Sequence, residues 1–297
     1  MLDVVRRYPL PAYFTLAYGI SWLGWVPYVL SLDGFGVLPF RFPELLGDTQ
    51  LFGILPGAYL GPLTAAFTVT AVAEGRDGLR RWRRRLFRWR VAWPWYAFVL
   101  VGFPALLLLG GLVLPGAWAE LRIPSLALLA TYIPMLVLQV LTTGLAEEPG
   151  WRDFALPRLQ QRWGPLPGTI VLGCLWAGWH LPLFLTSWAG STVTPMSLFQ
   201  FLLLGVVFSI VITWVFNRTQ QSLPMIMLLH STLNNFQSVA WPEFFPGLDA
   251  DWTWGPVIGI CVLAAVLVVT TRGRLGYDPA LTTRSPAAPS VRHPSGA

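Results

Sequence analysis

Glu147 and Glu148 stand side by side in the stretch Leu145-Ala-Glu-Glu-Pro-Gly-Trp-Arg-Asp-Phe-Ala-Leu-Pro-Arg-Leu-Gln160, with Arg152 four residues beyond the second glutamate. On one helix Glu148 and Arg152 meet across a turn and can pair. Glu147 points about 100° away and stays free for other work. The stretch follows directly on an apolar run, Ser125 to Ala146, long enough to cross a bilayer. An ionised side chain at bilayer depth costs about 2.5–3.5 kcal/mol on insertion scales, so such groups face protein or a wet cavity and are usually functional. The histidines are His180, His230 and His293, and the first two also fall inside apolar runs.

Two histidines and a glutamate with an open position for water form a recurring catalytic zinc set, here Glu147, His180 and His230. Zinc or another divalent metal at that set would activate its bound water and polarise a carbonyl. Without metal, Glu147 serves as general base on a water held with His180. His230 and Asn234, one turn apart in Met227-Leu-Leu-His-Ser-Thr-Leu-Asn-Asn235, then donate hydrogen bonds to the developing oxyanion. Both routes end in amide hydrolysis. Each group also has a plainer use: an intramembrane histidine ordinarily bridges helices, and the Glu148–Arg152 pair is expected to orient rather than react. His293 lies in the tail and is expected to be inert.

The elements that must hold these residues are membrane helices. Of 297 residues 55% are hydrophobic and 11% charged, against about 25% charged in soluble domains. That excludes a soluble class and predicts an all-α, polytopic helix bundle. Eight spans are expected: Pro11–Leu32, Leu51–Ala73, Pro94–Leu114, Ser125–Ala146, Gly168–Ser187, Ser197–Phe216, Ser222–Ala240 and Trp254–Thr271. The first reads as a retained span rather than a signal peptide. Residues 1–272 form the embedded domain, with its core at about 125–240, and 273–297 reads as a disordered cytoplasmic tail.

The net charge of +6 comes from arginine, since the sequence contains no lysine. With both termini inside, the expected spans put 18 of the 20 arginines on the cytoplasmic side and leave Arg41 and Arg122 outside, as the positive-inside rule requires. The basic stretch Glu74–Trp93 is therefore read as an amphipathic segment on the anionic leaflet, and nucleic acid is excluded as a partner. Cys174 and Cys261 are expected to be buried apolar fillers. By helical rise His180 lies about 18 Å beyond Gly168, and His230 about 12 Å beyond the start of its span, which suggests access from the inner side. Gly173 and Ala177 supply a small-residue face for close helix approach beside His180. Glu147, by contrast, falls at the end of its span. The groups meet if the Glu147 segment is drawn inward with Phe154-Ala-Leu156 submerged, or if the fifth span is displaced.

Glu147-Glu148-x-x-x-Arg152, Trp176-x-x-x-His180 and His230-x-x-x-Asn234, in this order between Thr131 and Val239, resemble the motifs of the CPBP family of intramembrane proteases. These are the type II CAAX endopeptidase-like, bacteriocin-processing and lysostaphin-resistance-like proteins. The resemblance implies a cavity open to the cytoplasm and hydrolysis of a peptide or membrane-protein tail near the cytoplasmic face of the cell membrane. It also implies that Glu147 activates water, His180 holds it, His230 and Asn234 stabilise the oxyanion, and Glu148 and Arg152 support the site. Family members are often described as metalloproteases. Asp153 stands where glycine is usual, and Trp176 where phenylalanine is commoner; the aspartate raises a question of substrate access. A non-catalytic scaffold or bacteriocin-immunity protein and a transporter are the other classes left open, and the lack of an internal repeat weighs against the transporter.

Overall fold

The computed structural model describes residues 2–45, 50–190, 193–248 and 254–280. His293, Asp48, Asp249, Asp251 and the tail from 281 onward lie outside these residues. Among the described residues there are helices and no strands, and eight long helical stretches carry the architecture. They are α1 (Pro9–Leu30), α2 (Leu55–Leu86), α3 (Trp93–Gly111), α4 (Leu128–Trp163), α5 (Pro165–Leu185), α6 (Pro195–Arg218), α7 (Leu223–Asn235, continued by Phe236–Ala240) and α8 (Trp254–Thr271). The stretches α2 to α6 and α8 are six that are long and apolar enough to cross a membrane. The protein is an integral multi-pass membrane protein.

α7 runs through the centre. It is buried on nearly every side, which is how a helix enclosed by protein must read. His230, Ser231, Thr232, Asn234 and Asn235 on this helix need polar partners that only a protein interior supplies at that depth. α5 and α6 pack closely along their length, as the small-residue face predicted. A Cβ on Gly173 would stand 2.7 Å from Val206 Cα, and one on Gly205 would stand 2.8 Å from the Ala177 Cβ. In that contact the backbones touch without intervening side chains, so His180 sits on a rigid pair.

α4 carries Glu147 within its length. The apolar span does not end at Ala146; the helix continues to Trp163, and Phe154, Ala155 and Leu156 are all buried. Of the two ways to bring the groups together, the acidic segment is the one drawn inward. Two wide π-turns, Val140–Gly144 and Pro149–Ala155, flank Leu145–Glu148. Pro149 has no N–H to close an α-turn, and π-turns of this kind re-aim side chains at functional sites. Gly150 allows the close fit of this segment, since a Cβ there would meet Pro62 O and the Tyr13 hydroxyl at 2.6 Å.

The basic stretch is a separate helical piece. Gly75 breaks α2 at φ 61°, ψ −149°, a conformation that glycine adopts freely, and the arginine-rich turns to Leu86 follow. Side chains of this stretch also pair within the protein. Arg85 makes an ion pair with Asp153 at 2.6 Å, and both Arg81 (2.7 Å) and Arg158 pair with Glu74. Neither cysteine is buried as expected: Cys174 is exposed and Cys261 partly so, and both are free. Both lie on apolar spans.

Candidate active site

Glu147, from the middle of α4, is 5% exposed, and its Oε2 accepts a 2.7 Å hydrogen bond from the Trp176 indole N–H of α5. That donor was not anticipated: in sequence Trp176 stood only as a replacement for the commoner phenylalanine. His180 follows one turn later, where α5 tightens into a 3-10 turn, and its Nδ1 lies 2.9 Å from the Trp176 carbonyl. A carbonyl only accepts, so Nδ1 carries the hydrogen and Nε2 keeps its lone pair. His230, on α7, has its Nδ1 2.7 Å from Glu148 Oε1. With Nδ1–H donating to that carboxylate, the ring is fixed in orientation and Nε2 is left for the site.

Glu148 and Arg152 form the layer behind. Both are fully buried, with Arg152 Nε 3.6 Å from Glu148 Oε2. The guanidinium lies over the Trp176 ring at 4.8 Å, and its Nη2 donates to Ser209 Oγ on α6 at 3.3 Å. One charged pair thus touches His230 on one side and Trp176 on the other. Ser209 is a member of this layer that sequence reasoning missed, because a serine in an apolar span carries no distinguishing pattern.

Glu147, His180, His230 and Asn234 all line one cavity of about 320 Å³. Four residues expected to act together, from α4, α5 and α7, therefore share one chamber. Its walls also include Gln139 and Thr143 of α4, Gln200 and Phe201 of α6, and Trp188 beyond α5. Asp153 does not line it. The extra carboxylate turns to Arg85 instead of towards the space a substrate would take. The cavity also lies towards the end of the bundle where α6 and α8 begin and α7 finishes, away from the arginine-rich turns. That departs from the expected access on the arginine-rich side.

The donor set does not converge as a metal site. Among the described residues no group of three or more His, Cys, Asp or Glu side chains is placed to hold an ion. The Trp176 indole is the reason: its ring centroid lies 5.5 Å from that of His180 and 5.3 Å from that of His230, while its N–H takes up Glu147. Glu147, His180 and His230 thus line the same cavity around the indole without forming the ligand shell of an ion.

Residues 129–236 match a family model described as Type II CAAX prenyl endopeptidase Rce1-like. Over that segment the chain is similar to the Rce1-like type II CAAX prenyl endopeptidases. The matched residues hold all three motifs, and the resemblance drawn from the motifs is borne out. A protein named CAAX prenyl protease 2, from Methanococcus maripaludis, is 29% identical over 107 residues, covering 35% of this chain and 39% of that protein. The Rce1-like segment runs from α4 to α7, and the cavity residues Ile54, Gln237, Ser238 and Val257 come from outside it.

Proposed function

We propose that the protein is an intramembrane endopeptidase of the CAAX-protease-like kind, with Glu147, His180, His230 and Asn234 as its catalytic residues. The observation that carries this reading is their convergence on one cavity from three helices. Glu148 and Arg152 are positioning residues. The bundle crosses the cell membrane eight times, counting α1 and α7, with both ends cytoplasmic, and acts on a peptide or membrane-protein substrate rather than on nucleic acid.

The hydrogen bonds give each group a part. Glu147 Oε2 is held by Trp176, which leaves Oε1 to take a proton from water. His180 Nε2 accepts the water's other O–H, since Nδ1 is committed to the Trp176 carbonyl. The water oxygen adds to the scissile carbonyl carbon. His230 and the Asn234 amide stabilise the resulting oxyanion. The Glu148 carboxylate holds the His230 ring in orientation through Nδ1. The proton on Glu147 then passes to the departing amine as the carbon–nitrogen bond breaks.

The test is hydrolysis of a peptide library by purified protein in detergent. Wild type should cleave, and Glu147→Gln should lose about 10²–10⁴-fold in rate, the usual contribution of a general base. Equal activity in the two would refute the assignment. The mechanism runs through protein groups, so a chelator should leave the rate unchanged.

A further inference from the structure

The two ends of the bundle are easily told apart. At one end Arg85 donates to Gln221 (2.7 Å), Arg88 to Gln220 (2.8 Å), the Ser222 hydroxyl to the Arg88 carbonyl (2.7 Å) and Asn217 to the Leu275 carbonyl (2.9 Å). The terminal helix Leu2–Arg7, the arginine-rich turns of α2 and Arg158 of α4 belong to this end. At the other end the Ser187 N–H donates to the Asp33 carbonyl (2.6 Å) and the Arg122 N–H to the Phe244 carbonyl (2.9 Å). Among the described residues Arg41 and Arg122 are the arginines of this second end, beside Asp33, Glu120 and Glu243. The positive-inside rule puts the first end in the cytoplasm.

The cavity belongs to the second end. Ile54 precedes α2, Gln200 lies in the second turn of α6, Val257 in the first turn of α8, Gln237 and Ser238 near the finish of α7, and Trp188 just beyond α5. Ser238, one of its lining residues, is exposed. Among the described residues, none that lines the cavity belongs to the arginine-rich end. Trp151, Arg152 and Phe154 are buried below Glu147, and beneath them the Arg85–Asp153 and Arg158–Glu74 ion pairs close the floor.

We propose that substrate enters from the arginine-poor face, the face turned away from the cytoplasm. The substrates are then peptide segments that emerge on the outer side of the membrane, not cytoplasmic tails. Glu147 is the cavity's carboxylate, no arginine lines it, and the remaining walls are aromatic rings, aliphatic side chains and neutral amides such as Gln139, Gln200 and Gln237. Such a chamber suits uncharged residues beside the scissile bond, because a charged one would lose its hydration without gaining a partner. The choice of substrate rests on the hydrolytic reading; the direction of access does not.

Two measurements test this. In full-length protein carrying Cys174→Ala and Cys261→Ala, a single cysteine is placed by Val37→Cys at the cavity end or by Arg80→Cys at the arginine-rich end. Both positions are well exposed, at 66% for Val37 and 61% for the Arg80 side chain. A membrane-impermeant maleimide should label Val37→Cys in intact cells and Arg80→Cys only after permeabilisation. The reverse pattern, or labelling of both in intact cells, overturns the proposal. The second measurement uses wild type and a membrane-impermeant peptide of neutral residues. Cleavage in right-side-out vesicles is expected, and cleavage confined to inverted vesicles overturns the proposal. If wild type in detergent cleaves nothing, the hydrolytic reading fails by itself, and labelling alone decides the side of access.

Discussion

Trp176 carries more of the site than an aromatic filler needs to. Its indole N–H holds Glu147, its carbonyl fixes the His180 tautomer, and its face receives Arg152. Trp176→Phe keeps the ring and removes the donor. A hydrogen bond to a charged group contributes about 1.5–3 kcal/mol, so kcat should fall by at least about tenfold with the fold retained. Steady-state kinetics beside thermal unfolding in detergent would separate those effects. Removing one member of the Glu148–Arg152 pair strands a buried charge, and Glu148→Ala should destabilise the protein by about 3–5 kcal/mol. The double variant Glu148→Gln with Arg152→Gln should recover part of that loss without recovering activity, because His230 stays without its carboxylate. A double variant no more stable than Glu148→Ala would count against the pairing. Sequence spacing made Glu147, Glu148, Arg152, His180, His230 and Asn234 legible, since polar groups in apolar spans stand out. It could not reveal Ser209 or the indole donor, because both are ordinary residues whose role depends on which helix face they meet.

At the scale of elements, the contact between α5 and α6 and the inward run of α4 set the geometry. Gly173→Leu would force α5 away from Val206 and carry His180 with it. Overpacking a tight contact costs about 1–3 kcal/mol, so both the unfolding temperature and activity should drop, whereas Gly178→Leu, whose Cβ meets nothing nearer than the Tyr18 hydroxyl at 3.4 Å, should affect stability far less. Asp153→Ala should behave in the opposite way to a site variant. It removes the Arg85 ion pair and loosens the arginine-rich end beneath the cavity, and it should lower stability while leaving kcat/KM for a short peptide within a few-fold of wild type. A shift in substrate preference instead would show that Asp153 reaches the cavity. The small-residue face on α5 was visible in sequence as Gly173 and Ala177. The length of α4 was not, because hydropathy ends a span where charges begin. Here the charges are buried against α2, α6 and α7, so the helix continues through them.

For the molecule as a whole, composition alone identified an all-helical membrane bundle, and the arginine distribution separated its two ends. Which end held the cavity was beyond the sequence, because depth along one helix says nothing about where neighbouring helices part. The central claim is that a carboxylate, two imidazoles and an amide in one cavity hydrolyse peptide bonds. The most direct measurement is mass-spectrometric detection of cleaved products from a neutral peptide library, comparing wild type with folded Glu147→Gln and His230→Ala. New amino termini from wild type, reduced at least a hundredfold in both variants, are the expected result. Products formed equally by all three proteins would contradict it.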